Sequence, residues 1–361
     1  MRVGLLIYGS LETISGGYLY DRKLVEHLRN QGDSVEIVSL PRQNYTRHLG
    51  HNFSLSLLHK LRDLPVDILI QDELNHPSLA WLNHKIRAPY PILSLVHHLR
   101  CDELRPAWQN TFYGQIERRY LDSVDGFIFN SQTTKQSVHR ISRINNRPWV
   151  IANPAGDRFN PPMEAGEITK RARQPGPLRL FFLGNLIPRK GLHTLIEALA
   201  GFTEGSCLLD VVGSFEADPA YTSAIFQQVE HLGLQSMIKF HGTLGEDALA
   251  GWLRASQVLV VPSSYEGFGI VYLEGMGSGL PCIGTTQGAA REIIIPGETG
   301  YLIEPKDSER LGAILKDLAH DRPKLTALSL AARQRYQQFP GWEQSMAKVR
   351  ACLLEVIGRV N

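Results

Sequence analysis

Short, continuously apolar runs separated by longer amphipathic stretches recur along this chain, and that rhythm leaves few folds open. VGLLIYG (3–9), SVEIVSL (34–40), VDILIQD (66–72), YPILSLVH (90–97), DGFIFNS (125–131) and PWVIANP (148–154) read as strands. Most lack the polar alternation of a half-exposed strand, so they suit parallel strands buried on both faces. Between them, apolar residues return at helical spacing, as Tyr18, Leu19, Leu24, Val25 and Leu28 do. Parallel strands need crossovers, usually helices. The rhythm therefore predicts an α/β fold with a doubly wound parallel sheet.

The rhythm breaks over PAGDRFNPPMEAGEITKRARQPGP (154–177), a stretch rich in Pro, Gly and charge that reads as a linker. It restarts with LRLFFLG (178–184), CLLDVVG (207–213), MIKFHG (237–242), QVLVVPS (257–263) and LPCIGTT (280–286). The 361 residues thus divide into a first Rossmann-like domain (1–160), a linker (161–177) and a second Rossmann-like domain (178–340). After the breakers Pro340 and Gly341, a last helix runs from about Trp342 to Val360. Open parallel sheets bind ligands at the carboxyl ends of their strands. The expected site is a cleft between the two domains, with the chemistry on the loops that follow strands.

Composition removes several classes. With 43% hydrophobic residues and a net charge of +2, from 38 Lys+Arg against 36 Asp+Glu, the chain is neither disordered nor a strong nucleic-acid binder. Cys101, Cys207, Cys282 and Cys352 lie far apart, which gives no disulfide framework and no cysteine zinc site, and fits a reducing, cytoplasmic compartment. The apolar start is too short for a signal peptide, and no run approaches the ~20 apolar residues of a membrane span. Residues 1–150 hold 18 Lys+Arg against 14 Asp+Glu, and 9 of the 13 histidines. Two readings fit that imbalance: ordinary sampling, or a first half that meets an anionic acceptor or lipid headgroup.

Two loops carry the unusual residues. GNLIPRKG (184–191) follows an apolar strand and precedes a helix, so its glycines and helix start present backbone N–H groups, and Arg189 and Lys190 add charge. It suits a diphosphate, though a solvated basic helix start fits the segment equally well. It is neither a Walker A loop nor a dinucleotide fingerprint. In SSYEGFGIVYLEGMGSGLPCIGT (263–285), Glu266 sits in the loop after a strand and Glu274 eight residues on, along an otherwise apolar helix. Gly267 and Gly269 let the backbone approach a ligand. A loop carboxylate beside free amides can hold vicinal hydroxyls of a sugar. A carboxylate buried without a partner costs several kcal/mol, so Glu274 needs a ligand hydroxyl or a basic side chain, unless it is simply solvated.

With these segments in view, the chain resembles the retaining glycosyltransferases of the two-Rossmann-domain type, GT-B, and specifically glycosyltransferase family 4. The most specific match is the E-x7-E of Glu266 and Glu274. GNLIPRKG, QGAAREII (287–294), GETGYLIEP (297–305), ISGGYLYD (14–21), SLVHH (94–98), DGFIFNSQTTK (125–135) and IANPAGDRFNP (151–161) support it in the family's order. FPGWEQS resembles the segment by which family members cross back, which assigns 341–361 to the first domain.

The resemblance implies transfer of a hexose-type sugar from a nucleoside-diphosphate sugar to a hydroxyl acceptor. No cofactor or metal is implied, and the chain contains no D-x-D. Lys190 would bind the donor diphosphate with help from Arg189. Glu266, with the amides of Phe268 and Gly269 beside Gly267, would hold the transferred sugar. Glu274 would meet the ribose, and Ile270 and Val271 would offer amides to phosphate or ribose. Leu244 would face the base. Gly16 and Gly17 would form the loop near donor phosphates and acceptor, and His97, rather than His98, would lie near the reacting sugar. Asn185 stands where the family usually has Arg, so the diphosphate loses one charged partner unless Arg189 substitutes. The implied partners are a nucleotide-sugar donor and a carbohydrate or lipid-linked acceptor. Asp72 and Glu73, after a strand, read as an acceptor contact or an exposed acidic loop. Trp108, Phe112 and Tyr113 with Arg105, Arg118 and Arg119 read either as a helix packed on the sheet or as a peripheral membrane contact of the first domain. Rival functions are a catalytically silent nucleotide-sugar binder and another GT-B activity, an epimerase or phosphorylase.

Overall fold

The computed structural model describes the chain except for residues 87, 143–145, 160 and 361 and the side chain of 360. Two compact units emerge: Met1–Pro154 together with the segment from Pro340 onward, and Ala155–Phe339. The expected first-domain end, at 160, lies outside the described residues.

In the first unit, β1 (Arg2–Tyr8), β2 (Ser34–Leu40), β3 (Ile68–Asp72), β4 (Ile92–Val96), β5 (Gly126–Phe129) and β6 (Trp149–Ile151) form one parallel sheet in the order β2-β1-β3-β4-β5-β6. Leu5 lies opposite Ile37 on one side and Ile70 on the other. Every residue of β3, β4 and β5 is buried, which is why these runs carry no polar alternation. Crossover helices include Gly16–Asn30, capped by Ser15, and Gln132–Ile141, capped by Ser131. The final helix, Trp342–Val360, packs on Gly16–Asn30: Trp342 meets Tyr20 edge-on at 5.7 Å, and Arg350 Nε reaches Asp33 at 2.7 Å.

The second unit has β7 (Leu178–Leu183), β8 (Cys207–Val212), β9 (Ile238–Phe240), β10 (Val258–Val260), β11 (Cys282–Thr285) and β12 (Gly300–Ile303), ordered β12-β11-β10-β7-β8-β9. β12 is an addition to the sequence reading. It is a four-residue edge strand, half-exposed at its centre, that begins on a glycine, so no apolar run announces it.

The linker expected over 161–177 is corrected. Ala165–Ala172 is an α-helix with a Glu164–Glu167 capping box, and it buries Ile168, Arg171 and Ala172 within the second unit. Arg171 donates to the Ser278 and Gly279 carbonyls at 2.7 Å each. Its composition looks like that of a linker because a key buried anchor is a charged guanidinium whose donors find carbonyl partners.

Candidate active site

The second sheet reverses its winding between β7 and β10, and ligands of such sheets gather where that reversal occurs. The loop leaving β7 ends in a 3-10 turn, Pro188–Lys190, and then Gly191 at φ 71°. A Cβ on Gly191 would lie 2.1 Å from the Pro262 carbonyl oxygen, so only glycine lets this loop lie against the chain leaving β10. The two loops are also bonded directly. The Ser264 N–H donates to the Arg189 carbonyl at 2.8 Å, and Arg189 Nη1 donates to the Tyr265 carbonyl at 2.8 Å.

That contact brings the expected residues together. Lys190 Nζ lies 2.5 Å from Glu266 Oε1, and Ser263 Oγ donates to the same oxygen at 2.6 Å. Arg189 Nη1 lies 3.8 Å from Glu266 Oε2. Burial by itself would raise the Glu266 pKa, but Lys190, Arg189 and Ser263 outweigh it and bring it down to about 2. Burial lowers the Lys190 pKa, against the opposing pull of Glu266. Gly184 lies under the Lys190 chain, where a Cβ would come within 3.3 Å of it. Asn185 Oδ1 accepts from the Ser214 N–H at 3.2 Å, so its amide holds the neighbouring loop.

Beyond Glu266, the half-buried Gly267 and the buried Phe268 lead to Gly269, whose φ of 99° turns the chain into the helix Ile270–Gly277. No side chain caps this helix or the one opened by Gly191, Leu192–Leu199. Their leading N–H groups, including those of Ile270 and Val271, are therefore not claimed by a capping oxygen. Glu274, on that helix, is buried. Arg158 Nε stands 2.7 Å from its Oε1, in ionic contact without hydrogen-bond alignment, and its Oε2 has no partner among the described residues. Burial raises the Glu274 pKa, with Arg158 opposing. Leu244, half-buried, precedes the cap of the helix Glu246–Ala255.

The remaining expected residues gather in the first unit. Gly16 and Gly17 open their helix, and a Cβ on Gly17 would lie 3.3 Å from His97 Cδ2. His97 follows β4. Its carbonyl accepts from Asn130 Nδ2 at 2.8 Å, and its Nε2 lies 3.4 Å from Asp21 Oδ1. Burial would depress the His97 pKa, but Asp21, Asp72 and Glu73 outweigh it and raise it. Asp72 is buried at the end of β3 beside this pair, and burial followed by Asp21 pushes its pKa up to about 7. Glu73 is likewise buried, so the exposed acidic loop is excluded. His98 turns instead to Glu103, at 3.1 Å.

Ligand atoms of Asp21, Asp72 and His97 lie within 4.8 Å of one another, as do those of Glu73, His76 and Glu117. The second set is already committed, because Glu117 accepts from the Arg100 and Cys101 N–H groups and His76 bonds the Tyr45 hydroxyl. Arg158 and Ser263 in the second unit's cluster, and Asp21 in the first unit's, are residues that the sequence reading did not place. Asp21 closes ISGGYLYD and Arg158 lies in IANPAGDRFNP, so each was marked by its segment but not by its partner.

Residues 166–335 match the family described as Glycosyl transferases group 1. Through that segment, just under half of its length, the chain is similar to the glycosyl transferases group 1 family. The chain is 30% identical over 239 residues to a D-inositol 3-phosphate glycosyltransferase of Streptomyces avermitilis, covering 63% of this chain and 51% of that protein. It is 28% identical over 246 residues to a GDP-mannose-dependent alpha-(1-6)-phosphatidylinositol monomannoside mannosyltransferase of Mycobacterium tuberculosis, covering 65% and 63%. The matches thus span about half to three-fifths of those relatives' lengths. Sucrose-phosphate synthase of Thermosynechococcus elongatus shares the GT-B fold, with a TM-score of 0.83 at 20% identity over 99% of both chains.

Proposed function

We propose that this chain is a retaining, metal-independent hexosyltransferase that moves a sugar from a nucleoside diphosphate to a hydroxyl of a carbohydrate or lipid-linked acceptor in the cytoplasm. The observation that carries the reading is the Lys190–Glu266 pair at the winding reversal of the second sheet, eight residues ahead of a buried Glu274 with one unclaimed oxygen.

In this reading Lys190 and Arg189 stabilise the charge that develops on the departing diphosphate, inside a site largely closed to water. Glu266 keeps Lys190 in place before the donor arrives. Its carboxylate accepts from the hydroxyls of the transferred sugar, and the Phe268 and Gly269 N–H groups donate to them. Glu274 Oε2 accepts a hydrogen bond from a ribose hydroxyl, which satisfies an otherwise bare oxygen. The bond from the anomeric carbon to the diphosphate oxygen breaks as the acceptor oxygen attacks from the same face. The acceptor's proton passes to the leaving phosphate. Gly16, Gly17 and His97 serve the reacting sugar and the acceptor. The inositol phosphate and phosphatidylinositol mannoside named for the relatives support a phosphorylated or lipid-linked acceptor.

Thermal unfolding against UDP-, GDP- and ADP-sugars tests donor binding. A true donor at about 100 times its dissociation constant stabilises by ~2.7 kcal/mol. Lys190→Ala and Glu274→Ala abolish transfer, and near-wild-type activity in either refutes the assignment. Anomeric NMR of the product reads retention.

One observation favours a second reading, a silent nucleotide-sugar binder: the usual cationic position is held by the uncharged Asn185, whose Oδ1 accepts from the Ser214 N–H. Donor hydrolysis or transfer by the unaltered protein excludes it. Asn185→Arg, which restores the charge, raises turnover if the missing cation is what limits the rate.

A further inference from the structure

In the set formed by Glu73, His76 and Glu117, two of the three side chains already bond the chain around them. The set formed by Asp21, Asp72 and His97 is less provided for. Asp21 is wholly buried on the helix Gly16–Asn30, yet its Oδ2 has no partner among the described residues. Its Oδ1 meets only His97 Nε2, at 3.4 Å. Asp72, at the end of β3, is also buried. Its Oδ1 accepts from the Leu74 N–H at 2.9 Å, and its Oδ2 accepts no hydrogen bond among the described residues. Two carboxylates thus lie out of water beside one imidazole, with oxygens to spare.

Their spacing suits a shared ion. A charged hydrogen bond between carboxylate and imidazole runs at about 2.7–2.9 Å, so 3.4 Å is long for one. Two ligands on one tetrahedral ion, with bonds of about 2.0–2.1 Å, lie about 3.3 Å apart. The three ligand atoms lie within 4.8 Å of one another, so Asp72 has to close by no more than about 1.5 Å. The imidazole is held in place by its surroundings. Asn130 Nδ2 donates to the His97 carbonyl at 2.8 Å, the Tyr20 ring stands edge-on at 5.4 Å, and Gly17 admits the helix start close to the ring. The His97 side chain keeps 15% exposure against 0% for Asp21, which gives an ion a way in.

We propose that Asp21, Asp72 and His97 form a binding site for a divalent transition-metal cation of the Zn2+ class, with three protein ligands and a further position left open. One imidazole nitrogen with two carboxylates suits Zn2+, Co2+ or Mn2+ better than Mg2+ or Ca2+, which favour oxygen ligands alone. A dication satisfies the bare Asp21 oxygen and offsets the cost of burying two carboxylates together. The donor chemistry proposed above is assigned to the second unit and needs no metal. A cation bound here takes up the His97 nitrogen and withdraws it from that reaction. This consequence rests on the transferase reading, whereas the binding does not.

Isothermal titration of the full, chelator-treated chain with Zn2+ tests the proposal. One ion per chain should bind with micromolar affinity, and excess Mg2+ should not displace it. In the unaltered chain, one equivalent of Zn2+ should shift the NMR signals of the His97 imidazole. Asp21→Asn, Asp72→Asn and His97→Gln should each weaken binding at least about tenfold while the circular-dichroism spectrum stays unchanged. His76→Gln, in the other set, should leave the affinity as it is. Binding no tighter than about 0.1 mM overturns the proposal. So do unmoved His97 signals with Zn2+ bound, undiminished binding by the folded ligand variants, or loss of binding in a folded His76→Gln chain. Transfer activity enters none of these readouts, so their failure is distinct from failure of the transferase reading.

Discussion

Replacing Lys190 with methionine removes one half of a buried ion pair and leaves the other half behind. Glu266 has a pKa of about 2 in the folded protein against an ordinary 4.5, a difference that corresponds to about 3 kcal/mol of stability. Because the folded value is depressed, this contribution is fully present at neutral pH and disappears as the pH falls from 4.5 toward 2. Without Lys190, Glu266 keeps only Ser263 at 2.6 Å and Arg189 at 3.8 Å, and burial, the largest influence on it, then acts with far less opposition. Breaking a buried pair from one side costs about 3–5 kcal/mol, and removing both charges together costs much less. Lys190→Met should therefore lower the melting temperature of the second unit's transition by roughly 6–20 °C, at about 2–4 °C per kcal/mol for a unit of this size. Lys190→Met with Glu266→Gln should recover most of that loss. The assay is urea and thermal unfolding of the four corners of this cycle at pH 7 and at pH 3. The coupling energy should exceed about 1.5 kcal/mol at neutral pH and shrink at pH 3. A single-variant loss below about 1 kcal/mol, or a coupling below about 0.5 kcal/mol, would refute the electrostatic account of this site.

Three further outcomes are expected. Arg158→Ala leaves Glu274 buried beside no cation and pushes its already raised pKa higher; because a raised carboxyl pKa makes stability fall as pH rises between the unfolded and folded values, urea titrations should show that decline reaching a higher pH, and donor affinity at pH 7 should drop about tenfold. Gly191→Ala places a Cβ 2.1 Å from the Pro262 carbonyl oxygen at a φ of 71° and should cost at least about 2 kcal/mol in urea unfolding, whereas alanine at the open Gly166 should cost under about 1 kcal/mol. Asp21→Asn removes a principal charge that raises His97, so the His97 imidazole, followed by NMR, should titrate at least about one pH unit lower, with little change in donor-induced stabilisation.

Much of the fold was legible because burial on both faces leaves a direct mark. β3, β4 and β5 are buried at every residue, so their sequences are unbroken apolar runs. Where burial is partial, the mark fades. β12 hides in GETGYLIEP because it is a short edge strand. The helix Ala165–Ala172 hides because one of its buried anchors is Arg171 rather than a leucine. The same limit governs the site. Lys190, Glu266 and Glu274 are visible as charges on otherwise apolar or glycine-rich strand-to-helix loops. Their partners Arg158 and Ser263, and Asp21 beside His97, look like ordinary surface residues until folding places them.

The sequence by itself determined the class of fold, the two repeats of the αβ rhythm, and the loops on which the unusual residues fall, since all three follow from local periodicity and from residue types that tolerate only a few environments. Tertiary structure decided how those residues behave. Loops some 75 residues apart become neighbours because β7 and β10 pair where the winding reverses, and Lys190 then meets Glu266 across that seam. A lysine and a glutamate in water titrate near their ordinary values. Only their desolvation side by side, an arrangement set by strand order and a left-handed glycine, turns them into a permanent ion pair.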